Sequence, residues 1–434
     1  MDPMQSPYAG APPDTARRQP RLQQLPSRHD TVLARGEIRY SKISDGAFLP
    51  HSDIKAPGGT FLPGLSSRVA AVIDDLVNVA DFERVASEKL DAGVLGYFAG
   101  GAGDEQTLRD NVAAWRRWQL RPRVLAGHAE WSARTEVLGA QLSMPVLVAP
   151  VAFQRMVDPE GEAAMARAAA AAGTAMCLSS LATTLPAEVA EAAPGGHHWF
   201  QIYCFSDEGI TRALLENAVA SGFEAILVTV DAPRAGNRER DRRTGFQVPE
   251  GLGVPSVQAA LGSERAVTVA EAFELIDPAL GWADLEAIAS DCDLPVLVKG
   301  VITGEDAALA IEHGAAGVVV SNHGGRQLDR VPATADALKE AVDAVEGRGT
   351  VLVDGGIRRG VDVAIALALG ADAVLVGRSA LWGLAVGGEE GARRVLDLLR
   401  AELELTLLLC GCASPADLTA AHVQRAPAAA VYSA

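Results

Sequence analysis

The segment 321–329, which reads SNHGGRQLD, places an imidazole and a guanidinium three residues apart directly after an apolar run. His323 can accept a proton near neutral pH, and Arg326 can hold a carboxylate through two parallel hydrogen bonds. The two glycines between them allow a tight turn and a close approach of the backbone to a ligand. This combination suits proton transfer on a small carboxylic acid. An isolated His-x-x-Arg pair also occurs in polar loops, so its interpretation depends on the rest of the chain.

Two further charged residues follow or close apolar runs. Asp231 comes just after the run 225–229. Beside His323 it would fix the tautomer of the imidazole and stabilise its charged form; elsewhere it would cap a helix or form an ion pair. Lys299 ends the run 295–299, where an unpaired cation is costly. Lys299 therefore has three candidate roles, namely a Schiff base, a fixed positive charge beside a flavin, and a structural ion pair.

Other polar side chains could bind an acid substrate. Arg238 offers a second guanidinium for a carboxylate. Tyr97 and Tyr203 can donate hydroxyl hydrogen bonds, although tyrosines are also common as half-buried core residues. With His323 and Arg326 these residues form a candidate set for chemistry on a small carboxylate.

The last two apolar runs end in glycine turns that carry arginines. The first turn, 354–358, reads DGGIR and contains Gly356 and Arg358; the second consists of Gly377 and Arg378. Backbone amides and two guanidinium groups can cradle a phosphate, and two glycine turns with surface arginines are the alternative. A phosphate here implies a phosphorylated substrate or a cofactor such as FMN.

Eight short apolar runs must position these side chains. They occupy residues 145–149, 175–178, 199–203, 225–229, 295–299, 317–320, 351–353 and 373–376. Most are separated by alanine-rich segments of helical period, among them 160–172, 207–221, 305–314 and 362–370. Apolar strands that alternate with helices predict an α/β protein with a parallel sheet covered on both faces, and eight of them predict a (β/α)8 TIM barrel. A doubly wound open sheet is the alternative, but the glycine-rich turn expected after its first strand is missing.

The barrel hypothesis brings the candidate residues together, because active sites of such barrels lie at the carboxyl ends of the strands. Upstream, Asp81 is predicted to cap a helix that runs to about Tyr97. Residues 1–75 are rich in Pro, Ser, Arg and Gly and are interpreted as a disordered or wrapping tail. The expected organisation is this tail, a catalytic domain over 76–425 and a C-terminal tail over 426–434.

Composition limits the partners. The chain has 434 residues, 49% of them hydrophobic, and a formal net charge of −17, which argues against nucleic acid or an anionic membrane as a partner. No run predicts a signal peptide or a membrane-spanning helix. The five cysteines have no metal-ligand spacing and an odd count, so we expect reduced thiols, a cytoplasmic protein and no metal.

Residues 76–425 resemble the FMN-dependent α-hydroxy-acid oxidase and dehydrogenase family, the group of glycolate oxidase, lactate oxidase and mandelate dehydrogenase. The matching motifs are YFAGGA (97–102), PEGE (159–162), LSS (178–180), FQIY (200–203), TVDAP (229–233), VKG (298–300), SNHGGRQLD (321–329), DGGIRR (354–359) and VGR (376–378). The resemblance implies FMN as the cofactor and a small (S)-2-hydroxy acid, such as lactate, as the substrate. It also implies molecular oxygen as the acceptor, giving a 2-oxo acid and hydrogen peroxide, and a homo-oligomer (tetramer or octamer).

The resemblance also implies a role for each residue. His323 would be the base at the α-carbon, oriented by Asp231. Arg326 and Arg238 would hold the carboxylate with help from Tyr97. Tyr203 would lie near the substrate hydroxyl. The residues at the flavin ring would be Lys299, Gln201, Thr229, Ser179, Ser321 and Ala152. Gly356, Arg358, Gly377 and Arg378 would bind the cofactor phosphate, and Asp354 would be a further cofactor-binding residue.

Three positions depart from glycolate oxidases, with Leu181 in place of Trp, Val151 in place of Thr and Phe205 in place of Tyr. A smaller, more apolar wall would admit a bulkier side chain than that of glycolate. The lid region 251–280 is short and has no membrane-anchoring insertion, which favours an oxidase over a quinone-linked membrane dehydrogenase. The alternatives left open are a lactate 2-monooxygenase-type or dehydrogenase member of the family and a Schiff-base aldolase or isomerase that uses Lys299.

Overall fold

The computed structural model describes residues 72–427; most of the predicted N-terminal tail and residues 428–434 lie outside this range. The described residues all belong to one compact unit. Residues 72–75 form a helical turn in which Ile73 is buried, so the last residues assigned to the tail belong to the folded part.

Twelve strands occur in the described range. They are β1 (Trp118–Leu120), β2 (Thr135–Val137), β3 (Ala140–Leu142), β4 (Val146–Val148), β5 (Ala175–Ser179), β6 (His197–Ile202), β7 (Ala225–Thr229), β8 (Val296–Val301), β9 (Gly317–Val320), β10 (Thr350–Val353), β11 (Ala373–Val376) and β12 (Val423–Arg425). Strands β4 to β11 are parallel and form a closed barrel in sequence order, with β11 hydrogen-bonded to β4. The predicted TIM barrel is therefore confirmed, and each of its eight strands contains one of the predicted apolar runs or most of it.

Fourteen helices accompany the strands. They are α1 (Val79–Lys89), α2 (Ala92–Ala99), α3 (Gln106–Trp115), α4 (Gly161–Ala172), α5 (Pro186–Ala192), α6 (Glu208–Ala220), α7 (Glu239–Thr244), α8 (Pro255–Ala260), α9 (Val269–Glu274), α10 (Trp282–Asp291), α11 (Gly304–Glu312), α12 (Thr334–Val345), α13 (Gly360–Ala368) and α14 (Arg378–Cys410). No helix within residues 72–427 combines the length and the apolar character needed to cross a bilayer.

The barrel strands consist of apolar runs because both of their faces are buried. One set of side chains, including Leu147, Leu227, Leu297, Leu352 and Leu375, forms a packed cluster separate from the outer core. The other set packs under the surrounding helices. A barrel filled in this way leaves room for a ligand only at its ends, where strands give way to loops.

The single helix predicted before the barrel is wrong in its cap and its length. Asn78, rather than Asp81, is the N-cap of α1, and its side chain accepts a hydrogen bond from the amide of Asp81. Leu90 is extended, and the carboxylate of Asp91 then accepts hydrogen bonds from the amides of Gly93 and Val94. This local cap starts a second helix, α2, and thereby sets the direction of the segment that carries Tyr97.

Candidate active site

Nearly all of the predicted site residues converge at the carboxyl ends of the barrel strands. They line one cavity with an empty volume of about 1300 Å³, which includes open solvent at its mouth. Two predicted residues, Asp231 and Ser321, do not line the cavity. They lie behind its wall and contact His323 and Lys299, respectively.

His323 and Asp231 form a hydrogen-bonded pair, as their positions predicted. The distance from His323 Nδ1 to Asp231 Oδ1 is 2.9 Å, and the side chains are 25% and 13% exposed. His323 has a φ of +57° in the left-handed region, and its amide donates to the hydroxyl of Ser321. Because the carboxylate accepts a hydrogen bond from Nδ1, the pair leaves Nε2 as the nitrogen that can exchange a proton with a ligand.

The pKa of Asp231 lies below its ordinary value. Burial alone would raise the pKa, but the imidazole of His323 and the ammonium of Lys299 outweigh that effect. The backbone of β8 passes close by at Gly300, whose φ is +114°, and a Cβ there would lie 2.6 Å from the Cβ of Asp231. The glycine of the VKG motif therefore makes room for the carboxylate that orients the base.

Lys299 is a buried cation with two partners. Its Nζ lies 3.3 Å from Asp354 Oδ2 and donates to the hydroxyl of Ser321 at 3.1 Å. Burial would lower the pKa of Lys299, but the carboxylates of Asp354 and Asp231 outweigh it and raise the pKa. An amine held in its protonated form is not a nucleophile, so this environment suits a fixed positive charge in the cavity wall and does not suit a Schiff base.

Two guanidinium groups lie against one tyrosine at the mouth of the cavity. The Cζ atoms of Arg238 and Arg326 are 5.6 and 5.1 Å from the centre of the Tyr97 ring. The other side of the site is apolar, because the Tyr97 ring stacks on Phe246 at 4.9 Å. Burial, followed by repulsion from Arg238, lowers the pKa of Arg326. Two neighbouring cations that disfavour each other form a binding site for an anion, which would relieve that repulsion.

Arg326 also has a structural task. Its Nη1 donates to the backbone carbonyls of Tyr97 and Gly100, at the end of α2. The structure records no further hydrogen bond from this guanidinium to the described residues, so its other donors remain for a ligand.

Tyr203 lies 5% exposed near the base. Burial, and then the charge of Asp231, raises the pKa of its hydroxyl well above the ordinary value. Its ring lies 5.9 Å from that of Phe273 in α9. Tyr203 therefore stays protonated over the working pH range and can act as a hydrogen-bond donor.

The inner wall of the cavity carries a donor without an acceptor. Ser179 donates to Gln201 Oε1 at 2.9 Å, which fixes the amide and leaves Gln201 Nε2 buried, with no partner in the part of the chain that the structure describes. Ala152 and Thr229 line the same part of the cavity. A buried N–H group almost always has an acceptor in the working molecule, so this side of the cavity fits a ligand that presents a carbonyl or ring nitrogen.

A second buried donor marks the opposite end of the cavity. Among residues 72–427, Arg358 Nη1 has no partner, while Nη2 lies 3.3 Å from Glu83. Gly377 is the N-cap of α14, which is kinked at Gly387 and Gly388, so the first amides of a helix open nearby. Gly356 has a φ of +80°, and a Cβ there would lie 2.1 Å from the carbonyl oxygen of Asn111, so no other residue fits. These features offer donors that are suited to a phosphate.

Arg378 has hydrogen-bond partners that the sequence did not indicate. Its Nε, Nη1 and Nη2 donate to the carbonyls of Phe98, Gly324 and Gly100, respectively. Arg378 lines the cavity, but three of the five N–H groups of its guanidinium donate to backbone carbonyls.

Several contributors to the site were missed by the sequence analysis. Phe246 and Phe273 complete the apolar side of the cavity region, and nothing in their local pattern marks them as different from core residues. Asn111 forms a reciprocal pair of 2.8 Å hydrogen bonds with Asn322, which precedes the base. The motif around Asn322 was a signal, but its partner is 211 residues away in the sequence.

Comparisons with known proteins agree with this geometry. The family model described as FMN-dependent dehydrogenase matches residues 86–425. The chain is 47% identical to glycolate oxidase 3 of Arabidopsis thaliana over 358 residues, which is 81% of this chain and 96% of that protein. It is 46% identical to L-lactate oxidase of Nostoc sp. over 355 residues, 80% of this chain and 97% of that protein. A structure of mandelate oxidase with (S)-4-hydroxymandelic acid superposes with a TM-score of 0.75 and 40% identity, covering 81% and 99% of the two chains.

Proposed function

The chain belongs to the FMN-dependent dehydrogenase family, and from that premise we propose that it oxidises (S)-2-hydroxy acids whose side chain is larger than that of glycolate. The coarser function follows from the family and its relatives: the protein is an FMN-dependent enzyme that oxidises a 2-hydroxy acid to a 2-oxo acid. The observation that carries the proposal is a single cavity that holds an oriented base, a pair of cations at a tyrosine and two unpaired buried donors.

The residues present fit FMN. Gln201 Nε2 can donate to the polar edge of the ring, and Lys299 provides a positive charge in the same wall. Arg358 Nη1 and the first amides of α14 are suited to the phosphate. When bound there, FMN would supply a two-electron acceptor for the substrate, with oxygen as the final acceptor.

The chain's own residues bind and orient the acid. Arg238 and the free donors of Arg326 hold the carboxylate, and the hydroxyl of Tyr97 assists. Tyr203 donates a hydrogen bond toward the substrate hydroxyl. His323 Nε2 accepts a proton from the α-carbon or from the hydroxyl, and Asp231 stabilises the imidazolium that results. Oxidation to the 2-oxo acid removes two electrons and two protons; His323 takes one proton, and the two-electron acceptor would take both electrons and the other proton.

The apolar wall supports a side chain larger than a hydrogen atom. Leu181, Val151, Ala232 and Phe273 line the cavity and carry no polar group that such a side chain would leave unpaired. Phe205 does not line it; it is buried and bridges to Ile276. Lactate, mandelate-like acids and longer aliphatic acids are the candidate substrates.

We further propose a homo-oligomer, a tetramer or an octamer, in the cytoplasm. Val124, Leu125 and Trp131 are exposed apolar residues on a segment whose backbone donates to the carbonyls of Cys410 and Ala413, and Leu405 and Leu409 are exposed just before those carbonyls. Exposed apolar surface of this kind supports association. All five cysteines are free thiols, which suits a reducing compartment. Light scattering on the purified full chain tests the assembly, and a monomer at micromolar concentration contradicts it.

The function is tested by anaerobic mixing of the yellow holoenzyme with a panel of 2-hydroxy acids. We expect (S)-lactate, (S)-mandelate and longer (S)-acids to bleach the flavin absorbance faster than glycolate, with the (R)-enantiomers as matched controls. Admission of air should restore the colour and release hydrogen peroxide and the 2-oxo acid. A purified protein that binds no flavin, or a flavin that no hydroxy acid reduces, refutes the proposal. A decarboxylated product in place of peroxide indicates a monooxygenase outcome, and no reoxidation by air indicates a dehydrogenase.

A further inference from the structure

Arg378 and Arg358 both follow glycine turns at the phosphate end of the cavity, but their guanidinium groups are used in opposite ways. Among residues 72–427, Nη1 of Arg358 is buried and has no hydrogen-bond partner, while its Nη2 contacts Glu83. Arg378 has hydrogen bonds of 2.8, 2.9 and 2.9 Å from its three nitrogens, all to backbone carbonyls. The first arrangement leaves a donor for an anion, whereas the second is largely satisfied within the protein.

The carbonyls that Arg378 holds belong to two segments that carry substrate-binding and catalytic groups. Phe98 and Gly100 lie at the carboxyl end of α2, directly after Tyr97. The last carbonyls of a helix accept no hydrogen bond from within the helix and carry partial negative charge, so a cation beside them is favourable. Arg326 donates to Gly100 as well, so two guanidinium groups fix this helix end.

The third carbonyl belongs to the turn of the base. His323, Gly324 and Gly325 have φ values of +57°, +62° and +74°, three consecutive residues in the left-handed region. For His323 this conformation is unfavourable and persists only where surrounding contacts fix it. Arg378 holds the carbonyl of Gly324, and the amide of Ala102 donates to the carbonyl of Gly325.

We infer that the side chain of Arg378 is a positioning residue, which locks the turn of His323 to the helix of Tyr97, and that it does not select the phosphate of the cofactor. Arg358 and the amides at the start of α14 take that second task. The inference rests on the proposed function, because it concerns the alignment of the base with a substrate bound beside FMN.

The test compares Arg378→Lys and Arg378→Met with the matched pair Arg358→Lys and Arg358→Met in the full-length protein. Each variant is equilibrated with equal concentrations of FMN and riboflavin, and the ratio of the two bound flavins is measured after gel filtration. A phosphate contact should discriminate between them, since a hydrogen bond to a charged group is worth about tenfold or more in affinity. We expect Arg358→Met to lower the FMN preference at least tenfold and both Arg378 variants to keep it within about twofold.

The second measurement is the limiting rate of anaerobic flavin reduction over a range of pH. Lysine keeps the charge but cannot hold three carbonyls with a planar fork, so Arg378→Lys should reduce the flavin at least tenfold more slowly and shift the pH profile. Arg348→Lys, at an arginine that donates to the carbonyls of Ala344 and Val345 and does not line the cavity, should leave the profile in place. Thermal unfolding of both lysine variants controls for a general loss of stability.

The inference is overturned if either Arg378 variant loses its preference for FMN, or if Arg378→Lys reduces the flavin at the wild-type rate with an unchanged pH profile. If Arg378→Met gives no folded protein, the lysine variant alone decides between these results. Failure of the proposed function looks different, because then no hydroxy acid reduces the wild-type protein, while the flavin preference still reports on Arg378.

Discussion

Replacement of Asp231 by Asn removes the charge behind the base and keeps an oxygen that can accept from Nδ1. The pair is 2.9 Å apart and mostly buried. With about 4 Å between the centres of the two delocalised charges and an effective dielectric constant of about 20, their attraction is about 4 kcal/mol. If about half of the imidazolium charge has formed in the transition state, the variant loses about 2 kcal/mol, or roughly 30-fold in rate. Asp231→Ala also removes the acceptor and should lose more, roughly several hundred-fold.

The assay is stopped-flow reduction of the flavin under anaerobic conditions, with the limiting rate read at saturating substrate. A matched control exists on the outside of the barrel, where His197 Nδ1 lies 2.9 Å from Glu224 Oε2. Glu224→Gln removes the same kind of carboxylate from the same kind of histidine, far from the cavity, and should leave the rate unchanged. The reasoning fails if Asp231→Asn reduces its flavin within about threefold of the wild-type rate, or if Glu224→Gln is slowed to the same extent.

Three further outcomes are expected. Gly356→Ala should lower the free energy of unfolding by about 3 kcal/mol or more, because it combines a positive φ with a clash against backbone. The control Gly347→Ala, with a φ of +72° and open space around it, should lower it by only about 1–2 kcal/mol. Thermal unfolding measures both losses, and equal losses would contradict this reasoning. Gln327→Leu removes three hydrogen bonds that hold the segment 231–236, so substrate affinity in the reduction assay should fall roughly tenfold. Unchanged affinity would show that the segment keeps its position without these hydrogen bonds. The lowered pKa of Asp231 gives stability that is present above about pH 3.9 and lost as the pH falls through its folded value, and the raised pKa of Lys299 gives stability that is lost only above about pH 10.4. Unfolding temperatures measured across this pH range check the direction of both effects. Substitution of Asp231 should flatten the acid side of the stability profile, and substitution of Lys299 should flatten its alkaline side.

The barrel could be predicted because its signal is local and repeated. Each strand is a short apolar run buried on both faces, and most of them carry a polar residue at or just after the same end. Closure of the sheet follows from the number of strands, and the convergence of the site follows from closure. The helices before the barrel were harder to predict from the sequence, since the choice between Asn78 and Asp81 as the N-cap depends on one side-chain hydrogen bond.

The roles of the arginines could not be predicted in the same way. Arg326, Arg358 and Arg378 follow glycines in similar motifs, and the sequence offers all three as anion binders. Only the folded chain shows that the carbonyls at the end of α2 reach Arg378 and Arg326, while one nitrogen of Arg358 is left without a partner. These contacts join residues more than 200 positions apart, and no local pattern encodes them.

The sequence by itself therefore determined the class of fold, the end of the barrel where chemistry occurs and the kinds of group that meet there. Those properties depend on strand period, strand number and residue type, which are read one segment at a time. The tertiary structure decided which donors are already satisfied and which remain for a ligand. It did so because hydrogen-bond satisfaction in a buried site is a property of the partners that packing brings together, and the distant end of α2 is such a partner for Arg378.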